Sequence, residues 1–433
     1  MRDEIHVTAN LAAPDGPPDA RPPVAITVGA VLRERPFALY QGARVLSLLA
    51  VQMQGVAMAW QLYRITHDPL SLGLLGLSQF VPQISLSLVT GLVADRVDRR
   101  GILVCTHLLV LLSSLALLAL FASDVRSPSI VYAVSGAIGV ARAFGAPAGQ
   151  ALAPTLVPRA LFPKAVALAS SAWQLSLVVG PSAGGLLFAW TDGPRPVYIV
   201  SAVAMAASLV LLFAIPRPAA TPDPKALSLR AVFEGLSYVF SNKAVLGSMS
   251  LDLFAVLLGG SVALLPAFAK DTLHAGPFAF GVLRSAPALG AASMALFLAY
   301  RPMRRRAGPR MLVAVFVFGL STIVFGLSTS IPLSVAALFV AGAADMISVV
   351  VRLTLVQLRT PDEMRGRVAA VSTVFIGASN ELGEFESGVA AAWLGTVGAV
   401  VVGGVGTCVV VLLWALLFPA LRRIDRAEED GVA

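Results

Sequence analysis

Three glutamates, Glu381, Glu384 and Glu386, stand within six positions of a run that is apolar on both sides, GRVAAVSTVFIGA before it and VAAAWLGTVGAVVVGGVG after it. Asp252, Asp345, Arg44, Arg142 and Arg284 are embedded in similar runs of Leu, Val, Ala and Phe. Ionisable groups so placed can pair with one another, hold the opposite charge of a bound solute, or take up and release a proton. In a membrane helix each costs about 3 kcal/mol at the centre and faces the bundle interior rather than lipid. At about 100° per residue, Glu381 and Glu384 lie roughly 60° apart on one face, while Glu386 is about 160° from Glu384 and 140° from Glu381. Glu381 and Glu384 are therefore expected toward a cavity or the facing half of the molecule, where they could load and release protons. Glu386 is expected to reach a neighbouring helix, an embedded arginine or a backbone amide. A purely structural role, paired acids fixing helix packing, is the alternative for all three. Asp252 is a second candidate for solute or proton, and Arg44 for an anionic solute.

The elements that must position these groups are membrane helices. Of 433 residues, 57% are hydrophobic and only 13% charged, and mean hydropathy is +0.82. Soluble domains carry about 25% charged residues. Twelve stretches approach the roughly 20 apolar residues a spanning helix needs: 37–62, 70–94, 101–122, 128–152, 164–189, 196–215, 243–268, 277–299, 310–328, 331–351, 367–392 and 396–418. Their length excludes barrel strands of about ten alternating residues. With the N-terminus inside, 25 of the 32 Lys and Arg fall in cytoplasmic segments, Arg352 being counted just past the tenth span. That bias places both termini in the cytoplasm and accounts for the +8 charge without nucleic acid. Residues 1–36, with Pro14, Pro17, Pro18, Pro22 and Pro23, read as a disordered tail without a signal-peptide core. Residues 216–242 open on PRPAATPDPK and continue as LSLRAVFEGLSYVF, a linker ending in a short helix on the inner membrane surface. The expected organisation is thus a 37–215 bundle, the 216–242 linker, a 243–418 bundle and a 419–433 tail. Cys105 and Cys408 fall inside spans, and His6, His67, His107 and His274 lack metal-ligand spacing, so no disulfide framework, metal site or cofactor is expected.

The halves repeat. SLLAVQMQG (47–55) aligns with DLFAVLLGG (252–260) at an offset of 205, and GVARAF (139–144) with GAADMI (342–347) at 203. Such repeats build two facing six-helix bundles around a cavity near the midplane. The 203 offset sets Arg142 over Asp345, predicting opposite charges on opposite cavity walls; the alternative is pairing within each half. The same offset sets Gly383, Glu384, Glu386 and Gly388 over Gly180, Pro181, Ala183 and Gly185.

Two motifs carry a family resemblance. GLVADRVDRRG (91–101) resembles the Gly-x-x-x-Asp-Arg/Lys-x-Gly-Arg-Arg/Lys loop of the major facilitator superfamily, with Gly91, Asp95, Arg96, Arg99 and Arg100 in place and Asp98 where a second glycine is expected. In that family the loop is a gating element. LVVGPSAGG (177–185) resembles the superfamily's antiporter signature at Gly180, Pro181, Gly184 and Gly185; proline bends a helix and glycine permits close packing, and ordinary Gly/Pro packing is the other reading. Residues 342–388 and 251–271 resemble the enterobactin-exporter-like branch of bacterial major facilitators, and the likeness extends over roughly 30–420.

The resemblance implies an all-α fold of twelve transmembrane helices in two pseudo-symmetric bundles, in the inner membrane. It implies a proton-driven exporter of a siderophore or drug-like small molecule, powered by the proton gradient. The expected partners are that small molecule, protons and the lipid bilayer, with a monomer as the expected unit. Uptake or facilitated diffusion of a small metabolite is the alternative, and a non-transporting scaffold a remote one. No catalytic Ser/His constellation or metal cluster is visible, which argues against an enzyme.

Overall fold

In a bilayer core every backbone N–H and C=O must pair within its own segment, so long apolar runs fold as helix. The computed structural model describes residues 28–122, 127–191, 193–216, 229–301, 306–361 and 364–424, and among these no strand occurs. The long helices are α1 (Arg35–Thr66), α2 (Pro69–Arg96), α3 (Arg99–Ala122), α4 (Pro128–Leu152), α5 (Phe162–Thr191) and α6 (Arg195–Phe213) in the first half. A connecting helix follows, α7 (Leu229–Ser241), and then α8 (Lys243–Leu258), α9 (Pro277–Tyr300), α10 (Ala307–Leu327), α11 (Ile331–Arg359) and α12 (Arg365–Leu417).

Ten helical segments among the described residues are long and apolar enough to cross a membrane. Of the twelve predicted spans, 70–94 falls on α2, which is not among the ten, while 367–392 and 396–418 run together in α12. The two are divided by Gly395, at φ 74° and ψ 164°, rather than by a loop. Only glycine takes that conformation without strain. Helix α8 stops at Gly259, and a tighter 3-10 turn and a wider π turn carry the segment on to Thr272. Gly260 sits there against the Gly383 carbonyl, 2.7 Å from where a Cβ would be.

Caps and proline starts explain where elements begin. His67 ends α1 in the left-handed conformation, its N–H donating to the Tyr63 carbonyl, and Pro69 opens α2. Asp98, the departure from the loop pattern, accepts from the Arg100 N–H at 3.1 Å and so caps α3. Asn242 accepts from the N–H groups of Ala244 and Val245 to start α8.

Within the first half α2 packs on α4, α3 on α4 and α6, and α1 on α5 and α6; within the second, α9 and α10 pack on α11, and α8 and α10 on α12. Two pairs cross between halves, α2 with α12 and α5 with α9. The repeat is visible in the closest crossings. Gly139 of α4 meets the Gln79 carbonyl of α2 with no room for a side chain, and its counterpart Gly342 of α11 meets the Pro287 carbonyl of α9. The connecting helix α7 does more than rest on a membrane surface. It docks on the second half, with Glu234 paired to Arg367, the Tyr238 hydroxyl donating to the Arg359 carbonyl, and Gly235 against the Arg367 backbone.

Candidate functional site

A cavity of about 840 Å³ lies between the halves, in the part of the bundle nearer the 96–99 and 152–162 connections. Helical spacing on α1 turns Tyr40, Arg44, Leu48 and Val51 into it; α4 contributes Arg142, Gly145 and Gly149, and α5 contributes Phe162, Val166 and Trp173. The second half supplies Arg284 from α9 and Glu381 from α12. Pro154 and Phe162 are exposed at the rim.

Among the described residues one ion pair joins the two halves across this space: Arg142 Nη1 stands 3.9 Å from Glu381 Oε1, with the side chains 39% and 18% exposed. Arg142 therefore meets Glu381 rather than the predicted Asp345. Arg284 and Glu384 also act on Glu381. Glu384 turns toward α2, its Oε2 2.8 Å from where a Cβ on Gly76 would stand. Both acids thus face the first half, Glu381 in the cavity wall and Glu384 in the α2–α12 seam. Glu386, expected to reach an arginine or amide, is half-buried and has no ion pair or hydrogen bond among the described residues. Its place on the helix, far round from the other two, turns it away from both the Arg142 side and the Gly76 side.

Asp252 and Asp345 belong to a separate cluster inside the second half. Arg352 Nη1 is 3.0 Å from Asp252 Oδ2, with the two side chains 3% and 7% exposed, and Asp345 feels both of those charges. Asp252 is therefore engaged within its own half and does not line the cavity, and neither does Asp345. The sequence reading placed Arg352 in a loop because the apolar run ends at 351. Helix α11 instead continues to Arg359 and buries it. Its signal was the acid it would need: a buried carboxylate without a partner asks for a cation one helix away.

The other end of the bundle is closed. Gly185 of α5 meets Gly281 of α9 so tightly that added Cβ atoms would lie 2.8–2.9 Å from the opposing Cα. Gly388 of α12 meets Gly73 of α2 in the same way, at 2.8 and 3.1 Å. Gly180 and Gly184 of the antiporter-like motif let α5 lie on Gln52 and Met53 of α1, and the Pro181 carbonyl packs on Gly281. Ser182 donates to Ser285 at 2.7 Å across the α5–α9 seam, and Trp60 stacks on Phe280 at 5.7 Å. Beyond them the Tyr63 hydroxyl donates to Asp271, and Lys270 donates to His67 Nε2 at 3.0 Å while lying 5.5 Å from the Tyr63 ring. The sequence reading gave none of these four residues a site role, naming His67 only for its lack of metal-ligand spacing. His67 follows α1 and Lys270 lies at the end of the segment that continues α8, so the contact joins corresponding segments of the two halves.

At the cavity end, Arg99 donates to the Ala151 carbonyl at 3.0 Å, and Arg100 to the Leu212 and Phe213 carbonyls at 2.8 and 2.7 Å. These guanidiniums satisfy the last carbonyls of α4 and α6, where a helix dipole favours positive charge. Gly91, Asp95 and Arg96 lie in the last turns of α2, and their side chains fall outside the described residues. No group of His, Cys, Asp and Glu that could hold a metal is found among the described residues.

The family model for transmembrane secretion effectors matches residues 26–432. The enterobactin exporter of Citrobacter koseri is 29% identical over 392 residues, covering 88% of this chain and 91% of the relative. The enterobactin exporter of Shigella boydii serotype 18 is 28% identical over 402 residues, covering 90% and 94%. Among solved structures, a bacterial homologue of the iron transporter ferroportin in its inward-facing state superposes with a TM-score of 0.68 at 17% identity, covering 91% of this chain and 99% of that one. A D-xylose–proton symporter superposes with 0.66 at 14%, covering 90% and 99%. At those identities the superpositions speak for the fold alone.

Proposed function

Because the chain belongs to the transmembrane secretion effector family of major facilitator transporters, we propose that it is a proton-coupled exporter of a siderophore or drug-like small molecule. It is a multi-pass membrane transporter and not an enzyme. In the proposed setting it lies in the inner membrane with both termini cytoplasmic, so the cavity faces the cytoplasm and the glycine seams close the outer side.

The observation that carries the reading is the Arg142–Glu381 pair, a titratable bridge between the halves in the cavity wall. Cargo enters from the cytoplasm, and the halves rock so that the seams part and expose it outside. A proton arriving on Glu381 removes the negative end of the bridge and unties α4 from α12; its loss to the cytoplasm restores the tie. Glu384, in the α2–α12 seam, couples the same titration to the surface that must slide. The energy source is the proton gradient, with no cofactor. Export is favoured by the antiporter-like motif in α5 and by the relatives named as enterobactin exporters.

The test uses acidified inverted vesicles with an entrapped pH dye and a panel of siderophores and drug-like compounds. A transported compound releases protons from the vesicle on addition. Glu381→Gln and Glu384→Gln, checked for insertion and folding, are expected to abolish that release. Proton release unchanged in both variants, or absent for every compound in the wild type, rejects the reading.

A further inference from the structure

The cavity holds more positive charge than it neutralises. Among the described residues three guanidiniums line it, those of Arg44, Arg142 and Arg284, against the one carboxylate of Glu381. Among the described residues that carboxylate is within ion-pair distance of Arg142 alone. Arg44 and Arg284 are half-buried and have neither an ion pair nor a hydrogen bond among the described residues. Ionisable groups at membrane depth are retained where they face a cavity and serve what passes through it. Two cations outside ion-pair distance of any carboxylate among the described residues, with Arg284 sharing the Glu381 charge with Arg142, leave a net positive site that a ligand's charge would fill.

The rest of the wall sets the body of that ligand. Phe162, Val166, Trp173 and Leu177 of α5 give the cavity an apolar and aromatic stretch of wall. A volume of about 840 Å³ falls within the roughly 300–1,000 Å³ typical of sites for drug-sized ligands. Guanidinium forks match planar oxyanions through paired N–H donors, which a neutral or cationic molecule cannot satisfy.

We infer that the cargo is an organic anion: an apolar or aromatic body bearing one or two acidic groups, held by Arg44 and Arg284 beside the Arg142–Glu381 pair. The inference rests on the transport reading for calling the bound molecule cargo, and it is independent of proton coupling. Cationic amphiphiles are excluded by the same charge. Export of such an anion is also drawn outward by an inside-negative membrane potential.

The test is calorimetric binding to the purified full-length protein in detergent, with three probes of one shape: 2-naphthoate, 2-naphthamide and 2-naphthylmethylammonium. Naphthoate is expected to bind at least about tenfold more tightly than the amide, a typical worth of one charge-assisted hydrogen bond, and the ammonium most weakly. Arg44→Gln and Arg284→Gln are each expected to erase about tenfold of naphthoate affinity and leave the amide unchanged, so the amide reports folding of the site. Arg44→Lys keeps the order of the probes. Equal affinities, tightest binding by the ammonium, no naphthoate binding at millimolar concentration, or equal weakening of acid and amide in the Gln variants overturns the assignment. The two readings fail separately. Without proton coupling the pH dye stays silent while the probes still separate; with a different cargo class protons move while the probes do not separate.

Discussion

Gly185→Ala would put a methyl carbon 2.8 Å from Cα of Gly281 and 2.7 Å from the Pro277 carbonyl oxygen. Ordinary contact begins near 3.4 Å, so the seam is roughly 0.6 Å too tight for it. Both neighbours are backbone and cannot rotate away; α5 and α9 must part. Overpacking of this kind costs about 1–3 kcal/mol. Because the clash exists only while this end is closed, the cost falls on one state of the transporter, and at about 1.4 kcal/mol per tenfold it shifts the balance toward the open-ended state some 5- to 150-fold. Gly388→Ala acts likewise at the other seam, 2.8 Å from Cα of Gly73. The assay is pulsed electron resonance between spin labels on cysteines replacing Ser129 and Thr329, both exposed beside the closed end, in a background lacking Cys105 and Cys408. Wild type gives the short distance; either alanine adds a longer population and both together enlarge it. Gly55→Ala, whose Cβ meets nothing within 4 Å, leaves the distribution as it was. A folded Gly185→Ala, Gly388→Ala double variant with the wild-type distribution would refute the seam as the element that closes this end.

Arg352→Gln leaves Asp252 and Asp345 without the cation that acts on both, and is expected to lower stability by about 3–5 kcal/mol; adding Asp345→Asn recovers part of it, read by thermal unfolding in detergent. Asp98→Ala removes the cap of α3 for about 1 kcal/mol, whereas Asp98→Gly loses only a few tenths. Gly395→Ala forces a Cβ into a conformation reserved for glycine at about 1–3 kcal/mol, and a melt no lower than wild type would mean the break can straighten.

What the sequence revealed and what it hid follow from the range of each signal. Apolar runs are local, so every predicted span lands on a described helix, and the helical angle between Glu381 and Glu384 correctly turned both toward the other half. Pairing is not local. Arg142 was matched to Asp345 because the repeat aligned them, but aligned residues sit on corresponding helices of each half, and only those near the two-fold axis touch. The contact of His67 with Lys270 was hidden for a like reason: the repeat runs at 205 in those helices and does not align the two. Arg352 was lost because a charge ends an apolar run on paper, whereas a helix whose charge is neutralised by a neighbour continues through it. The missing loop between the last two spans has another cause: glycine supplies a break without any polar residue to announce it.

The two seams have one more implication. Gly73 and Gly281 occupy like places in their halves, as do Gly185 and Gly388 and the helix-starting Pro69 and Pro277, whose carbonyls each seam also touches. Two identical six-helix subunits facing each other about a dyad would make this contact twice as a single isologous interface. The closure is thus homodimeric in design, while the charged lining is not: Arg44 and Arg142 come from one half, Arg284 and Glu381 from the other. Closure is symmetric and recognition asymmetric, so the halves can diverge in what they hold without losing the surface on which they close.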